Sequence, residues 1–201
     1  SAITAAAAST DSLMKQKQEQ QAIMPSIPRC IVDKITILQN FALIPDGIFT
    51  LHNMFPGTVV ISGHNADRVS ITRTTIGPTD LLDKIITRIL VNESRNKMFC
   101  TSTKNDLIPK GTVSVNYHIQ VPHQTNTVID NANGSVVITG VQGNIGVKTI
   151  IGSIMVVGSR KKLILLSTSG NITASVEKVV QAAHNCAITT HGTVSCSLAK
   201  S

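Results

Sequence analysis

The chain has 201 residues, of which 42% are hydrophobic, 14% charged and 2% aromatic. That mix excludes a disordered chain, and no run approaches the ~18 apolar residues of a membrane span. With 18 basic against 11 acidic residues and a formal charge of +7, the chain would draw anionic polymers or surfaces from a distance.

The core must be filled by Ile, Val and Leu, because there is no Trp, one Tyr and four Phe. Filling of that kind favours pleated sheet over helix. Residues 1–28 join an Ala/Ser/Thr stretch to the polar run Lys15 to Gln21 and two prolines, Pro25 and Pro28. They are expected to form a flexible N-terminal tail, with Asp11 a candidate cap for a short helix reaching Ile23. A start at Ser1 followed by Ala and Ser fits a mature product freed of a signal peptide. Export to the periplasm, cell surface or medium is expected, with a cytoplasmic location as the alternative.

From residue 29 to residue 201 a single β domain is expected. Short apolar runs alternate with turn residues at Ile31 to Leu38, Phe49 to Leu51, Val59 to Ile61, Val69 to Ile71 and Val113 to Val121, and these read as strands. One interruption stands at Pro78, where Thr79 or Asp80 caps apolar residues at helical spacing; a helix of one or two turns at Asp80 to Lys84 running into a strand is expected there.

The decisive feature is an internal repeat. Gly134, Gly143, Gly152, Lys161 and Gly170 follow one another at nine-residue intervals. Two positions after each anchor stand Val136, Ile145, Ile154, Leu163 and Ile172, and four positions after stand Ile138, Val147, Val156, Leu165 and Ala174. All ten are apolar, as a short strand with one buried face requires. The same signature recurs at Gly57, Gly111 and Gly192. A unit this short buries its apolar face only by lying on its neighbours, which predicts an all-β fold of the β-solenoid kind, built from strand-and-corner repeats. An antiparallel β-sandwich with regular turns is the alternative.

At this point the sequence resembles a known family, the bacterial putative-adhesin domain of unknown function, a β-solenoid of cell-envelope proteins. The resemblance is carried by Phe41 to Gly47, Ile48 to Asn53 and Gly57 to Gly63, and more closely by Val115 to Pro122, Asn133 to Gly140 and Ser167 to Ile172. It covers Phe41 to Leu198. The family's corners often carry Asp after Gly, whereas this chain has Ser, Asn or Thr, and Lys161 replaces a Gly. The resemblance implies a fold and an adhesin-like role in the envelope, and supplies no catalytic residues.

A search for chemistry leaves little. Sugar cleavage generally needs an acid and a base flanking the bond, yet Asp130 is the only acid between Thr112 and Val176, and Tyr117 the only aromatic platform there. His184, Cys186, His191 and Cys196 match no zinc spacing, and Gly140, Gly143 and Gly146 lack the strand and helix of a phosphate loop. No Gly-x-Ser-x-Gly elbow is present, and specific nucleic-acid binding lacks its aromatic residues. No metal or cofactor is expected. Two candidates remain: the basic corner Arg160, Lys161 and Lys162, as a solvated turn or else a site for an anionic ligand, and the four cysteines, as small apolar core residues or else with a disulfide between Cys186 and Cys196. The expected function is a non-catalytic structural or adhesin-like interaction module whose partner is an envelope polymer, an anionic surface or another protein. A polysaccharide-active enzyme, or a basic module binding anionic polymer or lipid, is the alternative.

Overall fold

The computed structural model describes residues 32–103, 108–177 and 185–198. The chain divides into two units after Ile31, and every described residue belongs to the second. The expected tail over residues 1–28, the candidate helix within it, Cys30 and His184 lie outside the described residues.

The architecture is nearly all β, with two mixed sheets that do not close. In chain order the strands are β1 (Val32–Ala42), β2 (Ile48–Pro56), β3 (Val59–His64), β4 (Arg68–Pro78), β5 (Ile86–Val91), β6 (Lys97–Thr103), β7 (Ser114–Pro122) and β8 (Asn126–Asn133). They continue as β9 (Val136–Thr139), β10 (Ile145–Ile151), β11 (Ile154–Ser159), β12 (Leu163–Ser169), β13 (Ile172–Val176), β14 (Cys186–His191) and β15 (Val194–Leu198). The helix expected after Pro78 is a single turn, α1 (Thr79–Leu82), and β5 follows it. The first sheet has the order β1-β4-β7-β3-β9-β11-β13-β15, and the second β14-β12-β10-β8-β2-β6-β5.

From β8 onward successive strands alternate between the sheets, and each pairs in parallel with the strand two places later. Thr127 lies beside Ile145 and Ile145 beside Leu163, each partner eighteen positions along the chain. Val136, Ile154 and Ile172 follow the same step on the other sheet. Parallel neighbours cannot be joined by a hairpin; here the connection is a strand on the opposite sheet. Each nine-residue unit therefore supplies one strand to one sheet, and the ten apolar positions of the repeat are all buried, none more than 3% exposed. The last step is longer, with Leu165 beside Ala187 and Ile172 beside Val194. Antiparallel pairing is confined to β1 with β4, β4 with β7 and β5 with β6, at the opposite end of the sheets from β14 and β15.

Corner chemistry explains the glycine column. Gly134 has φ of +124°, a region that L side chains avoid. A Cβ there would also fall inside the carbonyl oxygen of Gly57, and one on Gly152 inside that of Gly134, so the backbones stack without room for a side chain. Three positions before these corners runs a second column that the sequence reading did not separate: Asn131, Thr149, Ser167 and Thr189, in register with one another. Asn131 Nδ2 donates to the carbonyls of Gly57 and Gly134 at 3.1 and 3.0 Å. Ser167 Oγ donates to Gly152 O at 3.1 Å, and Thr189 Oγ1 to Gly170 O at 2.9 Å. These donors satisfy part-buried carbonyls at the stacked corners.

Candidate functional site

The corner carrying Arg160, Lys161 and Lys162 precedes β12. Arg160 Nε is 2.8 Å from Glu177 Oε2, and Lys161 Nζ is 3.2 Å from Asp46 Oδ1. Two of the three cations thus face carboxylates of the same chain. Lys162 is exposed, and among the described residues no carboxylate lies within ion-pair distance of it. Its backbone N–H donates to Asn144 Oδ1 at 3.3 Å, which anchors the chain rather than the ammonium.

The bridge between Cys186 and Cys196, the alternative to a core placement of the cysteines, is not formed: both are free thiols and both are exposed, whereas Cys100 is buried. Their strands place them in different series. Cys186 is in register with Ile164, which is 38% exposed, and Cys196 with Ala174, which is 2% exposed, so one belongs to the outward row of one sheet and the other to the inward row of the opposite sheet.

Asp130 has no second carboxylate beside it in the register. Its register neighbours are His52 and Lys148, and its carboxylate is 3.2 Å from His52 Nδ1. Tyr117 is 2% exposed and offers no platform to a sugar; its hydroxyl joins a polar chain that runs from buried Ser102 through half-buried Thr87 to the Arg73 guanidinium. Burial raises the Tyr117 phenol above its ordinary range and pushes the neighbouring Cys100 thiol up to about 11. His64 is held through both ring nitrogens: Nδ1 accepts from the Ala66 N–H at 3.0 Å, so Nε2 carries the proton donated to Arg68 O at 2.8 Å. His123 Nδ1 is 2.6 Å from Gly140 O. Among the described residues no three His, Cys, Asp or Glu side chains gather as a metal site. An open cavity of about 360 Å³ is lined by Met54, Phe55, Ile108, Lys110 and Val113.

The outward faces of the two sheets differ in charge. Across the first sheet, one row runs through Thr72, His118, Val60, Val137, Met155 and Thr173. The next row runs through Ser70, Gln120, Ser62, Thr139, Val157 and Ser175. Neither row contains Lys, Arg, Asp or Glu from edge to edge of the sheet; Lys34 and Arg68 stand at its margins. The second sheet bears an apolar row of Phe99, Val128 and Ile164 beside a charged one of Arg88, His52, Asp130 and Lys148. Single-sequence reading had no means to find the uncharged face, because its members come from strands far apart in the chain.

Among solved structures the chain is similar to a putative cell adhesion protein from Clostridium sporogenes, with a TM-score of 0.49 and 11% identity over 82% of this chain and 100% of that one. It is also similar to a putative adhesin from Bacteroides fragilis, with a TM-score of 0.34 and 10% identity over 83% and 98%. A putative lipid binding protein from Parabacteroides distasonis follows at a TM-score of 0.24 and 9% identity over 82% and 97%. No family model and no curated protein matches the chain.

Proposed function

We propose that residues 29–201 form one β-solenoid domain, preceded by a tail over residues 1–28, that serves the bacterial cell envelope as a non-catalytic, adhesin-like interaction module. Eighteen-residue coils with in-register parallel strands on both sheets support the solenoid reading. The resemblance of Phe41 to Leu198 to envelope adhesin domains supports the role and the exported location.

The observation that carries the proposal is the uncharged outward face of the first sheet. On a chain of net charge +7, two adjacent rows are free of Lys, Arg, Asp and Glu; one carries the hydroxyl and amide groups of Ser70, Gln120, Ser62, Thr139 and Ser175, and the other sets Val60, Val137 and Met155 between Thr72, His118 and Thr173, on rungs about 4.8 Å apart. Such a face forms hydrogen bonds without the desolvation penalty of ions, which suits an uncharged stretch of envelope polymer. The basic corner has two of its three cations paired locally, so it contributes a weaker field than its sequence implies.

Pull-down with isolated envelope polysaccharide tests this. Binding should be insensitive to salt and should fall at least tenfold in a Ser62→Asp/Thr139→Asp double variant, while a variant with Ser at 160, 161 and 162 binds as the wild type does. Salt-dependent binding that disappears in the triple-Ser variant would move the site to that corner. Turnover of the polymer that is lost in Asp130→Asn would replace the module with an enzyme.

A further inference from the structure

The two edges of the first sheet are built differently. β1 carries Asp33 and Lys34, charges of the kind that protect an edge from pairing with another chain. At the other end β15 reads Val-Ser-Cys-Ser-Leu, with no charge and no proline, and β14, the matching edge of the second sheet, has no Lys, Arg, Asp, Glu or Pro. Among the described residues no strand lies beyond either.

The inward positions of this last coil are also uncovered. Ile172 and Val176 are 0% and 8% exposed, whereas Val194 and Leu198, their register partners one coil later, are 44% and 61% exposed. A gap of about 100 Å³ beside them is lined by Leu163, Leu165, Ala174, Val176 and Cys196. The core therefore stops at an open rung where the same series of positions is otherwise sealed.

Backbone direction shows what fits there. The Thr193 carbonyl accepts from the Ile172 N–H, so the alternate residues Val194, Cys196 and Leu198 turn their N–H and C=O groups to the open edge. The sequence of β15 is close to a palindrome about Cys196. Laid antiparallel on a copy of itself, it sets Cys196 opposite Cys196, Val194 opposite Leu198 and Ser195 opposite Ser197. The three residues with outward-facing backbone groups then meet their counterparts as hydrogen-bonded pairs, and the inward apolar side chains meet over the core. A surface that is complementary to itself under a two-fold rotation is what an isologous dimer requires.

We infer that a second copy of this chain covers the C-terminal edge, with β15 pairing antiparallel on the partner's β15 about a two-fold axis at Cys196. The parallel ladder would then change to antiparallel at the axis, extending the first sheet across the dimer.

The test is the solution mass of the full chain by sedimentation over a range of concentrations. The wild type should have twice the chain mass at high concentration. Cys196→Lys should be monomeric with an unchanged circular dichroism spectrum, because it sets two like charges against each other at the axis. Cys196→Glu should be monomeric for the same reason, and an equal mixture of the two variants should recover the dimer. If Cys196→Lys does not fold, Leu198→Lys, at the exposed end of the strand, gives the same reading. A wild type that is monomeric throughout, a dimer that persists in the lysine variants, or a charge-reversed mixture that stays monomeric would overturn the proposal.

Discussion

At Cys100 the thiol is completely buried, within 4.0 Å of the Tyr117 hydroxyl. Burial raises its pKa from 9.0 to about 11 and raises that of Tyr117 in the same direction. Each is an acid whose proton is held more tightly in the folded chain than in the unfolded one. For Cys100 the stability this represents is present in full below pH 9 and is lost as the pH rises toward 11; for Tyr117, whose ordinary value is 10.0, the loss begins only above pH 10, and in each case it is at most about 1.4 kcal/mol per unit. Urea unfolding at pH 7, 9 and 10.5 should therefore show a midpoint that holds to pH 9 and then falls, and Cys100→Ala should flatten part of that fall. A core place for the cysteine was legible in its small apolar side chain, but its contact with Tyr117 was not: a lone Cys and the single Tyr carry no sign of the strands that bring them together across the two sheets.

Corners and strands use glycine for different reasons, and the contrast is testable. Gly152 sits in the stacked column, where a Cβ would strike the backbone of Gly134, while a Cβ on Gly146, within β10, would meet nothing nearer than Thr127 O at 3.9 Å. Gly152→Ala should lower stability by about 3 kcal/mol, and Gly146→Ala should change it by less than about 1 kcal/mol, in the stabilising direction. Thermal unfolding of the two variants separates them. The same sterics explain what could be read in advance. The nine-residue columns were legible because stacked backbones demand glycine and inward positions demand aliphatic side chains, whichever strand they belong to. The polar column of Asn131, Thr149, Ser167 and Thr189 was not, because three residue types occupy it, Thr149 donating to Ile151 O and the others to corner glycine carbonyls, and each looks like an ordinary turn residue. Nor could spacing assign Cys186 and Cys196 to opposite sheets, since the coil between them and the preceding strands is longer than its predecessors.

Across the whole molecule, strands paired in register gather uncharged side chains from distant parts of the sequence into one ruled face. Composition gave a net charge of +7 and could not say that two adjacent rows would escape it. Gln120 and Ser175 are 55 positions apart in the chain, yet Ser62, Thr139 and Val157 connect them in one outward row as successive partners. Four rungs of ~4.8 Å place their backbones about 19 Å apart. Spin labels at these two positions, measured by pulsed electron resonance in a chain diluted with unlabelled protein, test the arrangement most directly. The account predicts a single narrow distribution near that distance, widened only by the labels' own length. A distribution centred well beyond it, or several separate distances, would contradict the stacked register and with it the face on which the proposed function rests.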